Sequence, residues 1–98
     1  MRLSITIHPD AIAEARAARR WYAERDTEAG QAFMAALEDA REVVARAPKI
    51  WPMFEAQTRR YLLKNFPYYL IYREAANVVE VVAVMHARRR PGYWRTRL

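Results

Sequence analysis

Apolar and polar residues alternate at the start of the chain. Leu3, Ile5 and Ile7 fall on one side and Ser4, Thr6 and His8 on the other, a period of two that predicts a half-buried strand over residues 3–8. Pro9-Asp10 ends it: proline is well tolerated in a first helical turn, and an early aspartate suits the positive end of the helix dipole. From Asp10 to Arg25 the chain turns to Ala, Arg and Glu, all good helix formers. Ala11, Ala15, Ala18 and Tyr22 make a small-residue stripe at helical spacing, with Ile12 beside it. Asp26 or Thr27 can cap a second helix, whose apolar face is Phe33, Ala36, Leu37, Ala40, Val44 and Ala47. Pro48 stops it, because proline disfavours helix in the residue before it. The tight connection predicts an antiparallel helical hairpin.

The period then changes. Beyond Pro48 and Pro52, the segments Arg59 to Lys64, Tyr68 to Arg73 and Val78 to His86 are rich in Tyr, Ile, Val and Leu and predict three strands. Their breaks, Asn65-Phe66-Pro67 and Ala75-Ala76-Asn77, are short, so consecutive strands should pair antiparallel. The expectation is an α+β fold in one domain over residues 1–98. Its order is βααβββ, with the helical hairpin packed on an antiparallel sheet and a short basic C-terminal tail. Leu3, Ile5, Ile7, Phe33, Leu37, Val44, Leu70 and Val84 should be buried or at the helix–sheet seam. Trp21 and Trp51 are assigned to the core or that seam, and Tyr61, Tyr68, Tyr69 and Tyr72 to packing.

Composition narrows the chemistry. With 98 residues and 53% apolar content the chain fills one small core. There is no cysteine, which excludes a disulfide framework, a thiolate zinc site and a cysteine nucleophile. Gly30 and Gly92 are the only glycines, so no phosphate-cradling loop is present, and the lone serine, Ser4, lies on the first strand. His8 and His86 lack partners at ligand spacing, so neither a metal nor a cofactor is expected. Apolar stretches such as residues 81–85 are far too short to span a bilayer, and the alternating N-terminus is unlike a signal peptide. A soluble, cytoplasmic protein with no membrane association is expected.

The net charge of +6 is unevenly spread. Residues 1–50 balance eight basic against eight acidic side chains, whereas residues 51–98 hold nine basic groups against Glu55, Glu74 and Glu80. All but two of the seventeen cations are arginine, whose planar fork bonds phosphate and carboxylate bidentately. Such a field attracts nucleic acid or an acidic protein segment.

The candidate chemistry gathers in residues 85–97. His86 at a strand end is followed by Arg88, Arg89 and Arg90, a Pro-Gly turn, then Tyr93 and Trp94 between further arginines. Arginines with aromatics can grip phosphates and stack on unpaired bases, or form a protein hot spot. Tyr93 and Trp94 can equally plug the sheet, and His86 can be a strand-end histidine bonded to backbone. Arg59-Arg60 is a second basic spot, with one side chain facing the helices and the other the open face.

Taken together, these segments resemble ParE-type toxins of the RelE/ParE superfamily, the toxin halves of bacterial type II toxin–antitoxin modules that include plasmid-stabilisation toxins. The residues that carry the resemblance are Ala18-Arg19-Arg20-Trp21-Tyr22, Ala29-Gly30, Phe33 to Leu37, Pro48, Trp51-Pro52, Arg59 to Leu63 and Phe66 to Arg73. Most distinctive is Val82 to Pro91, similar to the family's strand-end run of apolar residues, His, two residues and Arg. The resemblance implies a βααβββ toxin neutralised by a cognate antitoxin, small, acidic and encoded alongside.

Two activities occur in the superfamily. RelE-type members cut messenger RNA on the ribosome without a metal, and ParE-type members poison DNA gyrase without being nucleases. Metal-free cleavage needs a base, an acid and charge stabilisation at the phosphate. The RelE pattern places cations where this chain has Leu62 and Tyr69, which favours the non-enzymatic, gyrase-directed alternative. Were it a ribonuclease, His86, Arg88, Tyr93 and Arg60 would be the catalytic candidates. The expected contacts with target or nucleic acid are Arg59, Arg60, His86, Arg88, Arg89, Arg90, Tyr93 and Trp94. A third possibility is an orphan basic module that binds nucleic acid through its tail alone.

Overall fold

The computed structural model describes residues 2–98. Its elements run β1 (Ser4–Ile7), α1 (Pro9–Arg25), α2 (Thr27–Arg46), β2 (Arg59–Leu62), β3 (Tyr68–Ala75) and β4 (Val78–His86), with single 3₁₀ turns at Glu55–Gln57 and Arg95–Arg97.

Local chemistry sets the helix ends. His8 caps α1, its Nδ1 accepting from the Asp10 N–H at 3.0 Å, with Pro9 in the first turn. Asp26 serves both helices. Its backbone N–H donates to Tyr22 at 2.9 Å to close α1, while its carboxylate accepts from the Glu28 N–H at 3.0 Å to open α2. One residue therefore makes the whole connection, and the axes come close. A Cβ on Gly30 would sit 2.7 Å from the Ala23 Cβ and 3.0 Å from its Cα, so only glycine allows this approach.

The sheet order is β1-β4-β3-β2. β2, β3 and β4 pair antiparallel, as their short connections require. Ala76 and Asn77 both take positive φ (49° and 67°), a two-residue turn matched to strand twist. β1 departs from the expected all-antiparallel sheet, pairing parallel to β4 from Ser4↔Val78 to Ile7↔Val81, so the sheet is mixed. No hairpin links these two strands, and no turn imposes opposite directions on them. β2 stops at Leu62 instead of Lys64 because Asn65 turns the chain at φ 66°.

Both faces of the sheet are covered. The helical hairpin packs Ala11, Ala18, Phe33, Leu37, Ala40 and Val44 against Tyr61, Leu63, Leu70, Tyr72, Val79, Val81 and Val84. Leu3, Ile5 and Ile7 close its edge, as their alternation predicted. The opposite face carries Ile71, Val82, Ala83 and Met85 beneath Trp94. A β-bulge makes this second cluster. Ile71 faces Ala83 while Tyr72 faces Val81, so Val82 has no partner and the side-chain phase of β4 slips by one residue. Trp51 lies half-buried at the seam, its ring edge-on to Tyr61 at 4.6 Å. Trp21 does not: it is 49% exposed on α1, one position around the helix from the half-buried Tyr22.

Candidate target-binding surface at the basic end of the sheet

β4 delivers His86 to the end of the sheet, where the Ala87 N–H donates to Pro67 at 2.8 Å. The following turn exposes Arg88, Arg89 and Arg90. Gly92 (φ 93°) reverses the chain, and Tyr93, Trp94 and the last 3₁₀ turn run back across the second face of the sheet.

A carboxylate on α1 fastens this return. Glu14 accepts from the Val84 N–H at 3.0 Å, from the Tyr93 hydroxyl at 2.7 Å and from both Arg97 terminal nitrogens at 2.9 and 3.1 Å. Arg97 also donates to the Val82 carbonyl at 2.9 Å. The two side chains are only 15% and 12% exposed, so this is a largely buried pair bonded on both sides. Nothing in the charge count singled out Glu14. Its position did carry a signal, since it lies three residues after Ala11 and four before Ala18 on the face that α1 buries.

The expected contact residues separate accordingly. Trp94 is fully buried and cannot meet a target without unfolding the tail, so it leaves the contact surface and joins the core. Arg59 leaves it too: its Nη1 donates to the Trp51 carbonyl at 2.7 Å, its Nε lies 3.7 Å from Glu74, and its side chain is 22% exposed. Arg60 is the partner that faces away from the helices, its guanidinium over the rings of Phe54 (4.7 Å) and Tyr69 (4.9 Å). Arg88, Arg89 and Arg90 remain on the surface, with Arg89 3.5 Å above the Tyr93 ring. The His86 Nδ1 accepts from the Arg88 N–H at 3.0 Å, and its ring meets Tyr68 edge-on at 5.0 Å on the helix side.

Two of the four nuclease candidates, His86 and Arg60, are therefore held apart. His86 packs with Tyr68 on the helix side, and Arg60 packs with Tyr69 on the opposite face. Tyr93 holds its proton strongly, because burial and then its bond to Glu14 raise the hydroxyl far above the ordinary tyrosine value of 10.0. Tyr72, whose hydroxyl donates to the Pro48 carbonyl at 2.6 Å, is raised chiefly by burial. Both tyrosines ionise less readily folded than unfolded. Their contribution is thus complete below pH 10 and is lost as pH rises through the folded-state values. Urea midpoints measured across the alkaline range should fall steeply, and less steeply for Tyr93→Phe or Tyr72→Phe. A flat wild-type profile above pH 10 would contradict the burial of these hydroxyls.

Ion pairing also redraws the charge map. Arg73, Arg95 and Arg97 of the cationic half are matched by Glu80, Glu55 and Glu14. Among the described residues Arg16, Arg19, Arg20, Arg88 and Arg90 have no carboxylate partner, so part of the free positive surface lies on α1. Counting charges along the chain missed this, although Arg16, Arg19 and Arg20 stand at one-turn spacing. Among the described residues no helix is long and apolar enough to cross a membrane, and no three His, Cys, Asp or Glu side chains are grouped to hold a metal ion.

Comparison with known proteins agrees with this architecture. The chain is similar in fold to a solved structure described as the chromosomal ParDE TA system from P. aeruginosa. The TM-score is 0.66 at 15% identity, over 89% of this chain and 98% of that one. No match was found among curated proteins. A family model described as the ParE toxin of type II toxin-antitoxin system, parDE, matches residues 5–91. That match takes in both helices, β2 to β4 and all of β1 but Ser4, and the chain belongs to the ParE toxin family of type II toxin–antitoxin systems.

Proposed function

We propose that this chain arrests growth in the cytoplasm by poisoning the DNA gyrase–DNA complex, without cutting messenger RNA, and that a cognate antitoxin silences it. The observation that carries this is the dispersal of His86, Arg60 and Tyr93. A general base, a general acid and a phosphate clamp must meet at one bond, and these side chains lie on opposite faces of the sheet or are committed to Glu14. The open face that a RelE-type nuclease lines with cations carries Leu62 and Tyr69 here, beside the Trp94 cluster. Arg88, Arg89, Arg90 and His86 form the target-facing end. An acidic or apolar antitoxin segment lying against the cationic half would cover them, and binding only the folded toxin would also stabilise it.

Induction in cells should raise the DNA-damage response and alter plasmid supercoiling while messages stay intact. Replacing Arg88, Arg89 and Arg90 together by alanine should abolish toxicity. Codon-phased message cleavage that precedes any DNA damage would overturn the gyrase assignment in favour of a ribosome-dependent endoribonuclease. Co-expression with the adjacent acidic reading frame should give a stable complex.

A further inference from the structure

Beside the basic turn, α1 and the ends of β3 and β4 enclose a cleft of about 470 Å³. Glu14, Trp21, Tyr22, Tyr68, His86 and Arg89 are among the residues that line it. Glu14 is saturated by the tail, so it presents no free charge to the cleft. Three other polar groups are unused. The Tyr22 and Tyr68 hydroxyls have no hydrogen-bond partner among the described residues, and the His86 Nδ1 is taken by Arg88, leaving Nε2. The two tyrosines stand with ring centroids 6.4 Å apart, and Tyr68 meets the imidazole at 5.0 Å.

The rims are built alike. On α1 the Arg25 guanidinium lies 3.5 Å over the Trp21 ring and donates to the Trp21 carbonyl at 2.7 Å. Opposite, Arg89 lies 3.5 Å over Tyr93. An exposed indole held by a guanidinium offers a flat, pre-ordered surface. The nearby Arg88 and Arg90 have no carboxylate partner among the described residues. Core packing accounts for the rings of Tyr22 and Tyr68 but not for Trp21, which is 49% exposed.

We infer that this cleft binds one unpaired nucleotide of a single-stranded nucleic acid, the base against Trp21 and the phosphate between the Tyr68 hydroxyl, His86 and the Arg88–Arg90 turn. Aromatic surface and cations in alternation suit a base and its phosphate, whereas an acidic peptide would use the cations and leave the indole idle. The stacking is tolerant of sequence, since every base has a π-face. Nucleotide binding here does not depend on which macromolecule carries the strand, and it is separate from gyrase poisoning.

The test is fluorescence anisotropy of a labelled short oligodeoxythymidylate titrated with the full chain and variants. The wild type should bind with a salt-dependent affinity, and duplex DNA of equal length should bind more weakly. Trp21→Ala removes an exposed side chain and should weaken binding roughly tenfold, within the range for loss of one stacked base. Tyr68→Phe keeps the ring and should weaken it a few-fold. Arg16→Ala removes a positive charge from α1 outside the cleft and should change little. The proposal is overturned if wild type does not bind, or if Trp21→Ala binds as wild type. A loss from Arg16→Ala as large as that from Trp21→Ala, or competition by poly-glutamate as effective per charge as the oligonucleotide, would also overturn it, since the first means that binding is not confined to the cleft and the second that charge alone is read. Circular dichroism of each variant separates lost binding from lost fold.

Discussion

Glu14→Ala should destabilise the protein by about 3 kcal/mol, the lower end of the range for breaking a buried ion pair, because Glu14 and Arg97 keep 15% and 12% of their side chains exposed. Five groups lose their acceptor together: the Val84 N–H, the Tyr93 hydroxyl, two nitrogens of Arg97 and, at 3.5 Å, one of Arg89. Arg97, at 12% exposure, is left as a cation facing only the Val82 carbonyl and the outlying Asp10 at 3.6 Å. Glu14→Gln should recover little, because an amide offers one acceptor and no charge. Arg97→Ala should cost a similar amount, and the double variant Glu14→Ala/Arg97→Ala much less than the sum of the two. Urea unfolding of the four proteins gives the coupling energy directly. A sum that is simply additive would mean that the pair behaves as an exposed salt bridge, worth about 1 kcal/mol or less.

Trp94→Ala should cost about 3–5 kcal/mol, the usual loss for emptying a fully buried large aromatic site. The side chain lies over Ile71, Val82, Ala83 and Met85, with Phe54 at 6.1 Å, and no other residue of the tail reaches so deep. Trp94→Phe makes the sharper measurement. The Trp94 Nε1 is buried without a partner, so phenylalanine loses volume but also removes an unbonded N–H, a group that costs about 1–3 kcal/mol when buried. The phenylalanine variant should therefore retain most of the stability. If it fell as far as alanine, volume alone would govern the site. The alanine variant should also free the tail, seen as faster hydrogen exchange over residues 92–98, and lessen toxicity through misplacement of the Arg88–Arg90 turn.

The elements were largely legible because each is set by its own neighbourhood: period two in residues 3–7, the Phe33–Val44 stripe, and the Ala76-Asn77 turn. What the sequence did not show depends on pairs far apart along the chain. Glu14 meets Arg97 only after the tail has folded back, and the count of acids and bases in each half treated both as ordinary surface charges. Trp94 and Tyr93 have the same composition whether they face a target or plug a sheet. The Val82 bulge decides between these, because it widens the apolar second face that Trp94 covers, and no pattern in the strand announced it. Trp21 erred in the other direction. A tryptophan beside a core tyrosine looks buried, but one step along a helix is a rotation of about 100°, enough to carry it to the surface.

Because β4 lies between β1 and β3, the strand that unites the sheet is made after both of its neighbours. Ser4–Ile7 has no strand partner until Val78–Val81 has been made, and closing a loop of that length is slow relative to forming the helical hairpin. Until Val78–His86 is made, β3 lacks its partner along Tyr68–Ala75 and that edge stays unpaired. The arginine turn and its Glu14 fastening come later still. The sheet closes only once Val78–His86 has been made and its two ends have met.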